Sequence, residues 1–238
     1  MKKVFNWAHR GASGHAPENT IAAFRKAMAL GADGIELDVR ESREGASIVF
    51  HDATIKRLAG ESGRLKNLSA SEIKKLDVGS WFSPDFAGER VPTLAEALDA
   101  VPPPFRFNLE IKAAFPQKIV DLIYQKKVMD RVIVSSFDHI LLARLRGLDG
   151  ALPLGYLVDR EPWGKIFREA LKLKAASINI PTSRATSKWI DRAHQEGLQV
   201  HLYTVNEPDQ MVFFMEMGVD GLFTNYPDRL ARLQGKSI

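Results

Sequence analysis

The sequence contains no cysteine. Disulfides and thiolate metal sites are excluded, so any metal must be held by oxygen or imidazole ligands. There is also no basic block longer than a Lys-Lys pair. The 33 basic side chains exceed the 29 acidic ones by a formal +4, spread along the chain. Such a small, dispersed excess gives no footprint for nucleic acid, though a mildly positive surface suits an anionic small-molecule substrate. Long apolar runs are missing as well. The start, MKKVFNWAHR, carries Lys2 and Lys3 but is interrupted by Asn6, His9 and Arg10. It lacks the apolar core of a signal peptide, and no later segment approaches a membrane span. The expectation is a cytoplasmic protein without stable membrane insertion. Its oligomeric state is not legible.

What the chain does have is ordinary globular composition, with 45% hydrophobic and 26% charged residues over 238 positions. That supports a buried core, and a single α/β barrel spanning 1–238 is a common solution at this length. Short β-rich runs recur: VFNWAH from Val4, DGIELDV from Asp33, FRFNLEI from Phe105 and RVIVSSF from Arg131. LPLGYLV from Leu152, ASINI from Ala176, QVHLYTV from Gln199 and DGLFT from Asp220 continue the series. Between them lie stretches with apolar residues at helical spacing, from NTIAAFRKAMAL to the closing PDRLARLQ. Strand alternating with helix in this way predicts a (β/α)8 TIM barrel.

The interval is uneven only between the second and third runs. The excess includes another strand-like run, Ala46–His51, too close behind Arg40 for a parallel crossover. VRESREGASIVF therefore reads as a hairpin extending the second strand, turning at Glu44-Gly45. A turn centred there sets Asp38 opposite His51. Residues 52–91 carry no barrel period. They read as an insertion, either surface decoration or a cap over the barrel mouth, with a capped helix start in LSASEIKKL.

Residues two apart share a face of a strand, so Glu36 and Asp38 point one way while Leu37 and Val39 point toward the helices. Asn108, Glu110 and Lys112 likewise share a face. His9 ends the first strand, with Arg10 just beyond it. All these polar groups lie at C-terminal strand ends, the end that carries catalysis in barrels. The E-x-D pair alone is explained as well by salt bridges from Arg10, Arg40 and Lys112. Adding Glu110 from the neighbouring strand favours a hard divalent cation, Mg²⁺ or Ca²⁺, among oxygen ligands. His9 and His51 at the same rim form a candidate general acid and base. His15, mid-loop among small residues, is a weaker candidate. His139, His194 and His201 read as surface or packing residues. In GASGHAPENT, Asn19 or Thr20 can cap the first helix, and Glu18 either buttresses Arg10 or approaches the metal through water.

HRG at His9–Gly11, ENT at Glu18–Thr20 and ELDV at Glu36–Val39 resemble the glycerophosphodiester phosphodiesterase family in order and spacing. HD at His51-Asp52, LEIK at Leu109–Lys112, SSF at Ser135–Phe137, TVN at Thr204–Asn206 and GVDGLFTNYPD extend the resemblance over nearly the whole chain. It implies a barrel related to the phosphatidylinositol-specific phospholipases C, with an insertion after the second histidine. By position, it implies that His9 and His51 are the acid–base pair and that Glu36, Asp38 and Glu110 bind one divalent cation. Arg10 and Lys112 match basic residues that contact phosphate. Tyr203 stands where many relatives have tryptophan before TVN, which keeps an aromatic wall but alters the alcohol pocket. The implied reaction is hydrolysis of a glycerophosphodiester to glycerol 3-phosphate and an alcohol. A related phosphodiesterase of lysophospholipids or phosphoinositides needs an apolar rim, for which Trp81, Phe82 and Phe86 are candidates. A barrel aldolase or isomerase calls for an interior lysine without a carboxylate cluster. A non-enzymatic phosphate-binding module has no particular support.

Overall fold

The computed structural model describes residues 3–238; Met1 and Lys2, part of the polar start considered above, lie outside the described residues. All eight expected strand runs form barrel strands. These are β1 (Phe5–His9), β2 (Gly34–Glu41), β4 (Arg106–Ile111), β5 (Val132–Ser136), β6 (Leu154–Leu157), β7 (Ser177–Pro181), β8 (Gln199–Tyr203) and β9 (Gly221–Thr224). Consecutive barrel strands pair in parallel, and β1 pairs with both β9 and β2, closing the ring. The ring is wrapped by α1 (Ile21–Ala29), α4 (Leu94–Ala100), α5 (Pro116–Lys126), α6 (His139–Leu148), α7 (Trp163–Lys172), α8 (Ser187–Gln195), α9 (Pro208–Glu216) and α10 (Pro227–Leu233).

Alternation along β2 sets the two sides of the wall. Leu37 and Val39 are wholly buried in the layer between strands and helices, with Leu109 and Ile111 of β4 beside them. Each such side chain contributes roughly 1.5–3 kcal/mol by leaving water. The intervening Glu36, Asp38 and Glu110 must then face into the barrel. Thr20 caps α1, its side chain accepting from the Ala23 amide at 3.2 Å. Thr93 and Glu96 form a reciprocal capping box at the start of α4, a device that contributes about 1 kcal/mol. These caps fix where each loop hands over to its helix.

The hairpin exists, formed by β2 and the antiparallel β3 (Ser47–Val49), but its register differs from the expectation. Val39 faces Val49, Arg40 faces Ile48 and Glu41 faces Ser47. The Phe50 amide donates to the Asp38 carbonyl at 2.9 Å, so Asp38 stands opposite Phe50 rather than His51. The cause is the turn. Ser42 donates to the Ala46 carbonyl at 3.0 Å across three residues, Arg43, Glu44 and Gly45, and Gly45 takes the left-handed φ of 78° that such a loop requires. A two-residue turn would have shifted the pairing by one.

Residues 52–91 include α2 (Lys56–Ala59), α3 (Ala70–Ile73) and 3-10 turns at Leu65–Asn67 and Pro84–Phe86. Ser69 and Glu72 form the expected capping box on α3. Ile55, Leu58, Leu65 and Ile73 join Ile48 and Phe50 of the hairpin arm in a separate apolar cluster. That cluster anchors the insertion to β3 beside the C-terminal mouth.

Candidate active site

His9, Arg10, Glu36, His51, Glu110, Lys112 and Tyr203 line one cavity of about 200 Å³ at the C-terminal mouth, and Asp38 lies just beneath it. The eight residues singled out from sequence are thus gathered in one place. Trp81, Phe82 and Phe86 do not join them. They form an edge-to-face ring cluster in the insertion, with Trp81 44% exposed, and line no part of this cavity.

Glu36, Asp38 and Glu110 are buried, and one oxygen from each lies within 4.8 Å of the others. Burial, then the charges of Asp38 and Glu110, push the Glu36 carboxyl well above the usual carboxylate range. Glu110 is raised by burial and by Asp38. Asp38 goes the other way: burial opposes ionisation, but Arg10 and Lys112 outweigh it and hold the carboxyl low. Among the described residues neither Oε1 of Glu36 nor Oδ1 of Asp38 accepts a hydrogen bond, although both are buried and Oδ1 is faced by Lys112 Nζ at 3.3 Å. Desolvated carboxylate oxygens with unused lone pairs are what a hard divalent cation needs, so this donor set fits Mg²⁺ or Ca²⁺.

The basic residues are already engaged with this cluster. Arg10 Nε lies 3.3 Å from Asp38, and its amide donates to Glu36 at 2.8 Å. Lys112 Nζ lies 3.3 Å from Asp38 and bonds Glu110. Among the described residues Arg40 makes no ion pair with a carboxylate; its Nε donates to the His51 carbonyl at 2.7 Å.

Both histidines are oriented through Nδ1. His9 Nδ1 meets Asn225 Oδ1 at 2.8 Å, so Nδ1 is the donor and Nε2 is left to accept. Nε2 lies 4.0 Å from Glu36. Burial and then the Arg10 charge depress the His9 imidazole to about 4. His51 Nδ1 donates to Asp52 at 2.6 Å, and Asp52 accepts from Arg57 Nε at 2.7 Å. Burial works against the Asp52 anion, but Arg57 and His51 overcome it and hold the carboxyl at about 2. The register shift in the hairpin does not remove His51 from the mouth, because it follows the ladder and is fixed by Asp52 and Arg40.

Further residues orient these groups, several of them within the motifs noted in the sequence. Asn19, one of two candidate caps for the first helix, leaves that task to Thr20 and instead donates from Nδ2 to Asp38 at 2.8 Å and accepts the Asp38 amide at 3.2 Å. It does so at φ 59°, next to Arg10 at φ 58°, both left-handed. Strained non-glycine backbone held in place this way concentrates at functional sites. Glu18 buttresses Arg10 at 2.9 Å and receives both Arg57 Nη atoms at 2.8 Å. Arg57, from the insertion, therefore ties the His51–Asp52 pair to the Arg10 side of the mouth. Asn206 accepts the Asn225 amide at 2.9 Å and so steadies the partner of His9. Tyr203 bonds the Val158 carbonyl and meets Phe137 edge-on at 6.1 Å. His15 is tied to Asp228 at 2.8 Å, away from the carboxylates. His139 stacks on Tyr156, His194 meets Asp220, and His201 is buried between Trp7 and Phe223.

Carboxylates, imidazoles and cations converging on the C-terminal mouth of a closed parallel barrel mark an enzyme, and one suited to an anionic substrate. The comparisons with known proteins specify which kind. The family model described as "Glycerophosphoryl diester phosphodiesterase family" matches residues 9–229, and the chain belongs to that family. A glycerophosphodiester phosphodiesterase of Caldanaerobacter subterraneus is 37% identical over 239 residues, covering 96% of this chain and 97% of that protein. The structure of an Oleispira antarctica phosphodiesterase in complex with its product sn-glycerol-3-phosphate superposes with a TM-score of 0.92. It is 27% identical and covers 99% of this chain and 98% of that one. The crystal structure of the glycerophosphodiester phosphodiesterase from Thermotoga maritima gives a TM-score of 0.83 at 28% identity, covering 98% and 99%. The chain is thus a phosphodiesterase with a TIM-barrel fold.

Proposed function

We propose that the protein hydrolyses glycerophosphodiesters to sn-glycerol 3-phosphate and an alcohol, using His9 and His51 as its proton-transfer pair and one divalent cation. The observation that carries this reading is the placement of two Nδ1-anchored histidines around three buried carboxylates. The product in the Oleispira antarctica relative agrees with it. Glu36, Asp38 and Glu110 would hold the cation, which when bound supplies positive charge against the phosphate. Arg10 and Lys112 supply further charge as it grows on the phosphate oxygens in the transition state.

The partners of the two imidazoles divide their tasks. His9 leans on the neutral Asn225, so its free Nε2 suits removal of a proton from the nucleophile. His51 is held through Nδ1 by Asp52, which leaves its Nε2 toward the mouth and suits protonation of the leaving oxygen. The nucleophile is water or the substrate's glycerol 2-hydroxyl, the latter by way of a cyclic phosphate; phosphorus NMR during turnover distinguishes them. Tyr203 and Phe137 form the wall against which the organic part of the substrate rests. We also propose that residues 1–238 act as one barrel domain with its insertion at 52–91, and that the protein works in the cytoplasm. Among the described residues no helix is long and apolar enough to cross a membrane.

The test is release of glycerol 3-phosphate from glycerophosphocholine with Mg²⁺, with Ca²⁺ and with chelator. Release should need a divalent cation. His9→Ala and His51→Ala should each lower kcat by about 10²–10⁴-fold, the usual share of a positioned acid or base, with an unchanged circular dichroism spectrum. Wild-type turnover in either purified variant would sink the assignment.

A further inference from the structure

Beside the mouth lies a second and larger hollow, about 510 Å³, between the hairpin turn, the insertion and the start of α5. Arg40, Arg43, Arg64 and Lys66 line it, against only two carboxylates, Glu41 and Glu44. Both carboxylates are already used: Glu41 accepts the Phe115 amide and Glu44 the Ala70 amide. Arg43 is shared with Glu72 at 3.5 Å. Arg64 and Lys66 are exposed, and neither side chain makes an ion pair among the described residues. They flank Leu65, which is buried in the apolar cluster of the insertion, so the insertion's own core holds two free cations over the hollow.

The hollow adjoins the mouth along two stretches of chain. Lys112 lines the mouth and its neighbour Ala113 the hollow; His51 lines the mouth and Ala53 the hollow. Arg40, bonded to the His51 carbonyl, stands where the two meet. With His51 protonating the leaving oxygen, the leaving alcohol of a diester in the small mouth lies on the His51 side. That side adjoins the cationic recess, in which the Arg64 and Lys66 side chains make no ion pair among the described residues.

We propose that this groove binds a second anionic group carried on the leaving alcohol, so that the preferred substrates are glycerophosphodiesters whose head group bears a phosphate or similar anion. This rests on the glycerophosphodiesterase reading above and names the substrate class of that site. Arg64 and Lys66 are its specificity-determining residues, and they take no part in the bond cleavage.

The experiment uses the full chain with its divalent cation and two matched diesters: glycerophosphoglycerol, and the same diester phosphorylated on the leaving glycerol. Two screened cation–phosphate contacts should raise kcat/KM for the phosphorylated diester about tenfold, an advantage that shrinks with added salt. In Arg64→Ala/Lys66→Ala the preference should vanish while glycerophosphoglycerol is hydrolysed as before; Arg64→Glu/Lys66→Glu should reverse it. Both side chains are exposed, so the variants should fold. A preference that survives in the double variant, or is missing from the wild type, overturns the proposal. Equal hydrolysis of the two diesters, together with cosedimentation on phosphatidylglycerol vesicles that the double variant loses, assigns the groove to a lipid surface and also overturns it. If neither diester is cleaved with either cation, the function proposal itself fails, and this one fails with it.

Discussion

Replacing His201 by phenylalanine should make the protein less sensitive to acid. His201 lies inside the barrel on β8, 2% exposed, with Trp7 at 6.1 Å and Phe223 edge-on at 6.0 Å. Its Nδ1 has no hydrogen-bond partner among the described residues. Burial depresses the imidazole from 6.5 to about 4, with Asp220 opposing and Arg106 adding to the fall. In the unfolded chain the same imidazole titrates at its ordinary value. Between those limits the unfolded state therefore takes up a proton that the folded state refuses. Stability falls as pH drops through this window and is regained as pH rises. Integrating over the two values, the group removes about 2 kcal/mol of stability between pH 7 and pH 5.

The assay is urea unfolding of the wild type and the His201→Phe variant at both pH values. Phenylalanine keeps an aromatic ring between Trp7 and Phe223 but cannot titrate. Its own stability at pH 7 is immaterial, because the quantity compared is the change between the two pH values. The wild type should lose about 2 kcal/mol more than the variant over this interval. Equal losses would refute the reasoning, since they would mean that the buried imidazole titrates alike in both states. Proton NMR of the His201 ring offers a direct check, with a midpoint near 4 rather than 6.5.

Other outcomes follow from the site and the insertion. Asn19→Ala removes both hydrogen bonds that orient Asp38, so divalent-cation affinity measured by calorimetry should fall about 10–100-fold. Unchanged affinity would leave Asn19 a purely structural role. Because burial and neighbouring carboxylates raise the Glu36 carboxyl so far, cation binding should expel a proton, and affinity should increase with pH. Binding heats should then differ between buffers of different ionisation enthalpy; identical heats would contradict this. A Cβ on Gly79 would lie 1.8 Å from the Phe86 carbonyl oxygen, so Gly79→Ala must displace backbone. It should destabilise the insertion by about 1–3 kcal/mol or more and expose residues 77–90 to limited proteolysis, with the barrel fragment surviving.

The barrel was legible because each strand is a compact apolar run and each helix has an amphipathic period, signals that tertiary packing reinforces. Glu36, Asp38 and Glu110 were legible for a related reason: strand alternation dictates their common direction, and parallel pairing sets Asp38 beside Glu110. The hairpin register was not. Its turn length rests on whether Gly45 serves as the third loop residue or the second, and the string Glu44-Gly45 is compatible with both. The Glu18–Arg10 contact was legible, but the other contacts of the orienting residues were not, although several of these residues lie in recognisable motifs. Asn19 sits one position before a true cap, in a left-handed conformation held by its bonds to Asp38 and to the Arg10 carbonyl. Asn225 and Arg57 reach the histidines from segments 216 residues away from His9 and five beyond Asp52. A partner 216 residues away leaves no periodicity to read, and the Arg57–Asp52 contact falls in an insertion without a regular period.

The charge balance of the mouth bears on how these parts work together. Three carboxylates are buried beside two cationic side chains, and Asp38 is approached by both Arg10 and Lys112 at 3.3 Å. In this arrangement the two side chains expected to hold phosphate are occupied in neutralising the cluster. A divalent cation among the carboxylates would take over that task and release Arg10 and Lys112 toward the cavity. Buried ion pairs are held weakly when a better-matched charge competes for one partner, since desolvation offsets much of their attraction. Glu18, anchored by Arg57, limits how far Arg10 can swing, so release would turn its guanidinium without detaching it. The insertion thereby acts on both sides of the mouth, fixing Asp52 behind His51 and Glu18 behind Arg10 through the single side chain of Arg57. On this account Arg57 is a positioning residue. Its replacement by lysine, which can keep the charge but not the fork, should lower kcat more than it weakens cation binding.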